Sequence, residues 1–192
     1  MNDTSLSVLI ISCSLNTSSR SHRLARAAET ALGEMDVPAA LIDLREWKLP
    51  FCDGRESYEH PSVAPLTERI TQASAILVAS PVYNYDLNAA TKNLVEMTGS
   101  AWAEKPVGFL CTAGGDRSYM SPIGLANSLM FDFRSLIVPR FVYAVKADFE
   151  ESGDVSDGLR ARVERLARSA VDLAAALAWI RDTRPVRSDK QA

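Results

Sequence analysis

No glycine occurs before Gly33. A dinucleotide fingerprint needs Gly-x-Gly-x-x-Gly after a first strand, and a Walker A loop needs Gly-x4-Gly-Lys-Ser/Thr, so neither fits the N-terminal region. Cysteine is scarce and odd in number (Cys13, Cys52, Cys111), with no Cys-x-x-Cys pair. That spacing supports neither a disulfide framework nor a zinc site, and no metal is expected. Only two histidines are present, and neither falls in the candidate loops described below. No apolar run approaches the roughly 20 residues needed to span a bilayer, so no membrane partner is expected. A net charge of −3 favours no nucleic acid partner. The opening residues Met1-Asn2-Asp3-Thr4-Ser5 carry no basic segment followed by an apolar stretch. No signal peptide is therefore expected, and the cytoplasm is the expected compartment.

What is present is an alternation of apolar runs and helical periodicity over 192 residues, a length that suits one domain. The run Ile76-Leu77-Val78-Ala79 is continuous rather than alternating, which reads as a strand covered on both faces. Pro81 lacks the N–H a ladder needs and is expected to end that strand. Further strands are expected over Leu6–Ser12, Ala39–Ile42, Pro106–Thr112, and the short pieces Leu136–Val138 and Phe141–Ala144. Helices are expected over Ser21–Met35, Pro65–Ala73, Asn88–Gly99, Ser121–Phe133 and Asp157–Ile180, with a frayed tail from Arg181. Arg45 to Pro65 reads as a long irregular loop carrying Pro50, Gly54, Pro61 and Pro65. This pattern predicts a three-layer, doubly wound α/β fold of the flavodoxin-like kind. Its five parallel strands take the order 2-1-3-4-5, with a crevice between strands one and three.

Three polar loops follow strands one, three and four, and must open on the same sheet edge. The first, Ser12–Ser21, packs seven hydroxyl or amide side chains and Arg20 ahead of a helix. Unpaired helix N–H groups, short hydroxyls and a guanidinium suit a terminal phosphate, with Ser14, Asn16, Ser19, Arg20 and Ser21 as candidates. The same residue types also serve as plain caps and turn formers. Pro81-Val82-Tyr83-Asn84-Tyr85 offers ring faces and an amide suited to a flat aromatic ligand, or alternatively a half-buried tyrosine and a turn. Ala113-Gly114-Gly115 admits close backbone approach, or is a simple turn. Together the three loops match the span of flavin mononucleotide (FMN). A rival reading starts from Cys13 as a phosphatase nucleophile, but Cys13 to Arg20 is Cys-x6-Arg, one residue longer than the Cys-x5-Arg of low-molecular-weight tyrosine phosphatases. No Asp-Pro pair stands ready as general acid.

The chain resembles the NAD(P)H-dependent FMN reductase family, which includes azo, quinone and chromate reductases. The stretch Cys13 to Ser21 falls in register with that family's Gly-Ser-x-Arg-x-x-Ser-x-Asn/Ser. Pro81-Val82-Tyr83-Asn84, followed by Lys92-Asn93 and Glu96, matches its middle signature. Lys105-Pro106 and Gly114-Gly115 match as well. Cys13 replaces a usual Gly, Asn16 a frequent Arg, Asn88 a common Pro and Thr91 a common Leu. The resemblance implies bound FMN and NAD(P)H as co-substrate. Hydride would pass to flavin N5 and on, by ping-pong, to free flavin, a quinone, an azo compound or a metal oxyanion, with no catalytic side chain. It also implies a homodimer or homotetramer, with the Arg45–Pro65 loop and the Asn88–Thr98 helix as contact surfaces. A flavodoxin-like electron carrier is the non-enzyme alternative.

Overall fold

The computed structural model describes residues 6–183. The expectations of no signal peptide over Met1–Ser5 and of a frayed tail beyond Thr183 concern residues outside that range. A central parallel sheet runs in the spatial order β2 (Ala39–Asp43), β1 (Val8–Ser12), β3 (Ala75–Tyr83), β5 (Pro106–Thr112), β6 (Leu136–Ile137). A short β4 (Asp86–Leu87) pairs antiparallel with the end of β3, and β7 (Val142–Ala144) continues alongside β5. The expected order therefore holds, with the fifth position split between β6 and β7. Pro139 lies between them, and a residue without an N–H interrupts a ladder.

Helices α1 (Arg20–Glu34) and α5 (Asp157–Thr183) cover one face of the sheet. Helices α2 (Val63–Gln72), α3 (Ala89–Thr98) and α4 (Ile123–Phe133) cover the other. Strands β1 and β5 are buried at every position, as continuous apolar runs between two helical layers require. α5 closes tightly: a Cβ on Gly108 of β5 would stand 2.8 Å from Leu77 Cδ2 and 3.1 Å from Leu166 Cδ1.

Three expectations are corrected. β3 does not stop at Pro81 but runs to Tyr83, with Pro81 opposite Thr112. The Pro81 carbonyl accepts from Asn88 N–H at 3.1 Å. Its nitrogen faces that same edge, beyond the end of β1, so the β5 ladder loses no bond. α2 begins at Val63, which places Pro65 in the first helical turn, where no intrahelical donor is required. α5 continues through Arg181 to Thr183, whose hydroxyl donates to the Trp179 carbonyl at 2.7 Å. No helix among the described residues is long and apolar enough to cross a membrane.

Candidate flavin site

The three polar loops do converge. A cavity of about 190 Å³ at the carboxyl edge is lined by Ser14, Asn16, Ser18, Ser19 and Arg20 from the first loop. Pro81, Val82 and Tyr83 join from the end of β3, and Thr112, Ala113 and Gly114 from the end of β5. Ser21 does not reach it. It is fully buried, with its hydroxyl 2.8 Å from that of Ser19. Asn84 and Tyr85 stand exposed at the tip of the β3–β4 hairpin, and Gly115 lies just outside the lining.

The first loop is folded by its own side chains. Ser14 Oγ accepts from Asn16 N–H at 3.2 Å, and Asn16 Oδ1 accepts from Ser18 N–H at 2.9 Å. Ser19 is the N-cap of α1, accepting from His22 N–H at 3.2 Å. The cap reading is therefore right for Ser19, which lines the cavity as well. Arg20 packs its guanidinium 5.9 Å from the centre of the Phe149 ring, and its Nη1 is buried without a hydrogen-bond partner. A buried, unpaired cationic donor beside hydroxyls and a helix N-terminus fits an anionic group. These residues fit the phosphate of FMN.

The second loop is a two-residue hairpin turn in which both Asn84 (φ 52°) and Tyr85 (φ 65°) adopt the left-handed region. That is the turn whose twist suits a hairpin, normally built with glycine. A bulky residue there is strained, and the strain is characteristic of functional turns. The third loop is held from below: Tyr143 donates its hydroxyl to the Gly115 carbonyl, and its ring meets Tyr119 edge-on at 5.5 Å.

Several supports had no readable signal in the sequence. His22, set aside because it lies outside the loops, brings Nδ1 to 3.1 Å from Ser12 Oγ and 3.3 Å from Asp43 Oδ2. Arg45 forks onto the Asp43 carboxylate and reaches the Thr17 carbonyl at 3.3 Å. Burial pushes the Asp43 carboxyl up. Hydrogen bonds from the Arg45 side chain and backbone, with the guanidinium charge, outweigh that and hold it below the usual carboxylate range. Asn88 caps α3, accepting from Thr91 N–H, and its carboxamide also donates to the Cys13 carbonyl at 2.9 Å.

Cys13 itself is fully buried, and burial pushes its thiol up to about 12. A thiol held protonated is no nucleophile at neutral pH, so the phosphatase reading fails on chemistry as well as on spacing.

Residues 6–150 match the family described as NADPH-dependent FMN reductase. The chain belongs to that family. This reductase is accordingly an NAD(P)H-dependent flavin oxidoreductase, with FMN as cofactor, NAD(P)H as co-substrate and small molecules as its substrates. It is 27% identical over 141 residues to an NAD(P)H-dependent FAD/FMN reductase of Geobacillus thermodenitrificans, covering 72% of this chain and 76% of that one. It is 28% identical over 158 residues to an FMN reductase (NADPH) of Pseudomonas aeruginosa, covering 81% and 85%. In structure it resembles the flavoenzyme NAD(P)H:(acceptor) oxidoreductase FerB of Paracoccus denitrificans, with a TM-score of 0.72 at 20% identity over 89% of this chain and 98% of that one. A flavodoxin from Archaea superposes with a TM-score of 0.60 at 15% identity, over 90% and 99% of the two chains. These two structural matches establish the flavodoxin-like fold.

Proposed function

We propose that the three-loop cavity is where this reductase holds FMN, within a single domain spanning the chain. The supporting observation is the Arg20 Nη1, buried and unpartnered, on a cavity whose first-loop side is lined by the Ser14, Ser18 and Ser19 hydroxyls and the Asn16 amide. Ser14, Asn16, Ser19 and Arg20 hold the phosphate, and Ser21 acts by orienting the Ser19 hydroxyl. Pro81, Val82, Tyr83, Asn84 and Tyr85 line one side of the ring. Ala113, Gly114 and Gly115 let backbone approach its other edge.

Bound FMN supplies the hydride relay between NAD(P)H and an acceptor. The chain's residues bind, orient and exclude water, and none is assigned as an acid or base. The two substrates use one face in turn, giving ping-pong kinetics; the acceptor is free flavin, a quinone, an azo compound or a metal oxyanion. The protein works in the cytoplasm as a homodimer or homotetramer. The Arg45–Pro65 segment and α3 suit that contact: Phe51 is 82% exposed beside an apolar cavity of about 390 Å³ that both help to line.

The deciding experiment replaces Arg20 by Met and titrates apoprotein with FMN and with riboflavin, which lacks the phosphate. Loss of a hydrogen-bonded charge should weaken FMN about ten- to hundredfold and leave riboflavin unchanged. Equal binding of both flavins by the unaltered protein would remove the phosphate assignment. Oxidation of NAD(P)H by the purified protein separates the enzyme from an electron carrier.

A further inference from the structure

We infer that Asn88 is a positioning residue for cofactor binding: by gripping the Cys13 carbonyl it aims the Ser14 N–H at the phosphate. The inference rests on the phosphate site proposed above. The Cys13 backbone is held at both ends. Its N–H donates to the Ala79 carbonyl at 2.8 Å, and its C=O accepts from Asn88 Nδ2 at 2.9 Å. The C=O of Cys13 and the N–H of Ser14 belong to one peptide unit. No cis bond occurs among the described residues, so the two groups point in opposite directions. Asn88 heads α3, on one side of the sheet, whereas α1 lies on the other. The grip of Asn88 therefore turns the Ser14 N–H away from α3, toward the side where Ser19 and Arg20 border the cavity.

Asn88 is itself held in one orientation. Its Oδ1 accepts from Thr91 N–H at 3.2 Å and from the Thr91 hydroxyl, and Ser80 Oγ lies 3.1 Å from the same oxygen. The Ser80 and Thr91 hydroxyl oxygens are 2.8 Å apart, and all three side chains are at most 6% exposed. Turning the amide over would set Oδ1 against the Cys13 carbonyl and Nδ2 against the Thr91 N–H. The network thus decides which end faces the loop. The arrangement ties the phosphate loop to the first turn of α3.

Asn88→Ser separates the two jobs of the side chain. Serine caps a helix about as well as asparagine, but is too short to reach Cys13. Apoprotein is titrated with FMN and with riboflavin by quenching of flavin fluorescence, and its thermal midpoint is recorded. The expected result is an FMN Kd raised about tenfold and riboflavin binding unchanged, with an apoprotein midpoint lowered by the lost buried hydrogen bonds yet still above the titration temperature. Thr91→Val, which is close in shape and frees Oδ1 from one donor, should shift FMN in the same direction by about threefold. If both variants weaken the two flavins alike, or weaken neither, the positioning role is wrong even though Arg20→Met shows the phosphate selectivity. If the unaltered protein shows no preference for FMN over riboflavin, the underlying site falls first.

Discussion

Tyr85 occupies a left-handed backbone conformation that costs a side-chain-bearing residue about 1–2 kcal/mol. Tyr85→Gly should therefore raise the thermal midpoint of the apoprotein. The same change deletes a ring that is 66% exposed beside the site, so FMN affinity should fall. A midpoint and an affinity moving in opposite directions would mark strain kept for binding. The thiols give a second residue-scale expectation. Cys13 and Cys111 are fully buried and each pushed up to about 12, whereas Cys52 is only partly buried, donating to the Tyr58 hydroxyl at 3.4 Å. A thiol reagent at pH 8 should label Cys52 alone in the native protein, and all three after unfolding. At this scale the loop residues that line the cavity were legible because hydroxyls and glycines announce turns. The positions of Ser21 and of Asn84 and Tyr85 were not, since loop membership does not say which way a side chain points.

Elements were legible wherever burial was two-sided. β5 spans the run Pro106–Thr112 as expected, because a strand between two helical layers needs an unbroken apolar stretch. The end of β3 was misjudged because a proline rule assumes a ladder partner on both edges, and the hairpin to β4 supplies one that needs only the proline's carbonyl. Contact between elements is a different matter, set by pairs of residues far apart in sequence. Gly108 gives no sign in the sequence that Leu166 of α5 closes over it. Gly108→Ala should cost about 1–3 kcal/mol in a urea titration, because the added methyl must displace packed leucine branches.

For the whole molecule, stability should be bounded at both ends of the pH scale. The Asp43 carboxyl is depressed in the folded state, so its contribution is present above the ordinary value of about 4 and is lost as pH falls through the lower folded value. The stability difference between the unaltered protein and Asp43→Asn should therefore shrink below about pH 4 in urea midpoints. Cys13 and Cys111 act with the opposite sign. Above about pH 9 the unfolded chain releases thiol protons that the folded chain keeps up to about 12, so the midpoint should fall with rising pH. Cys111→Ala should flatten that slope. The layered architecture followed from the alternation of strands and helices. The His22–Asp43–Arg45 cluster did not, because His22 meets the local Asp43–Arg45 pair only when β2 lies beside β1.

Ser80, Asn88 and Thr91 form a single coupled unit. Thr91→Leu alone would leave the Ser80 hydroxyl and the Asn88 oxygen short of partners in a dry interior. Asn88→Pro alone would leave the Cys13 carbonyl without its donor and remove the acceptor that the Ser80 and Thr91 hydroxyls share. Each single replacement therefore leaves part of the cluster with fewer partners. The combined replacement should be milder than the sum of its parts, by about 0.5–3 kcal/mol in a double-mutant cycle.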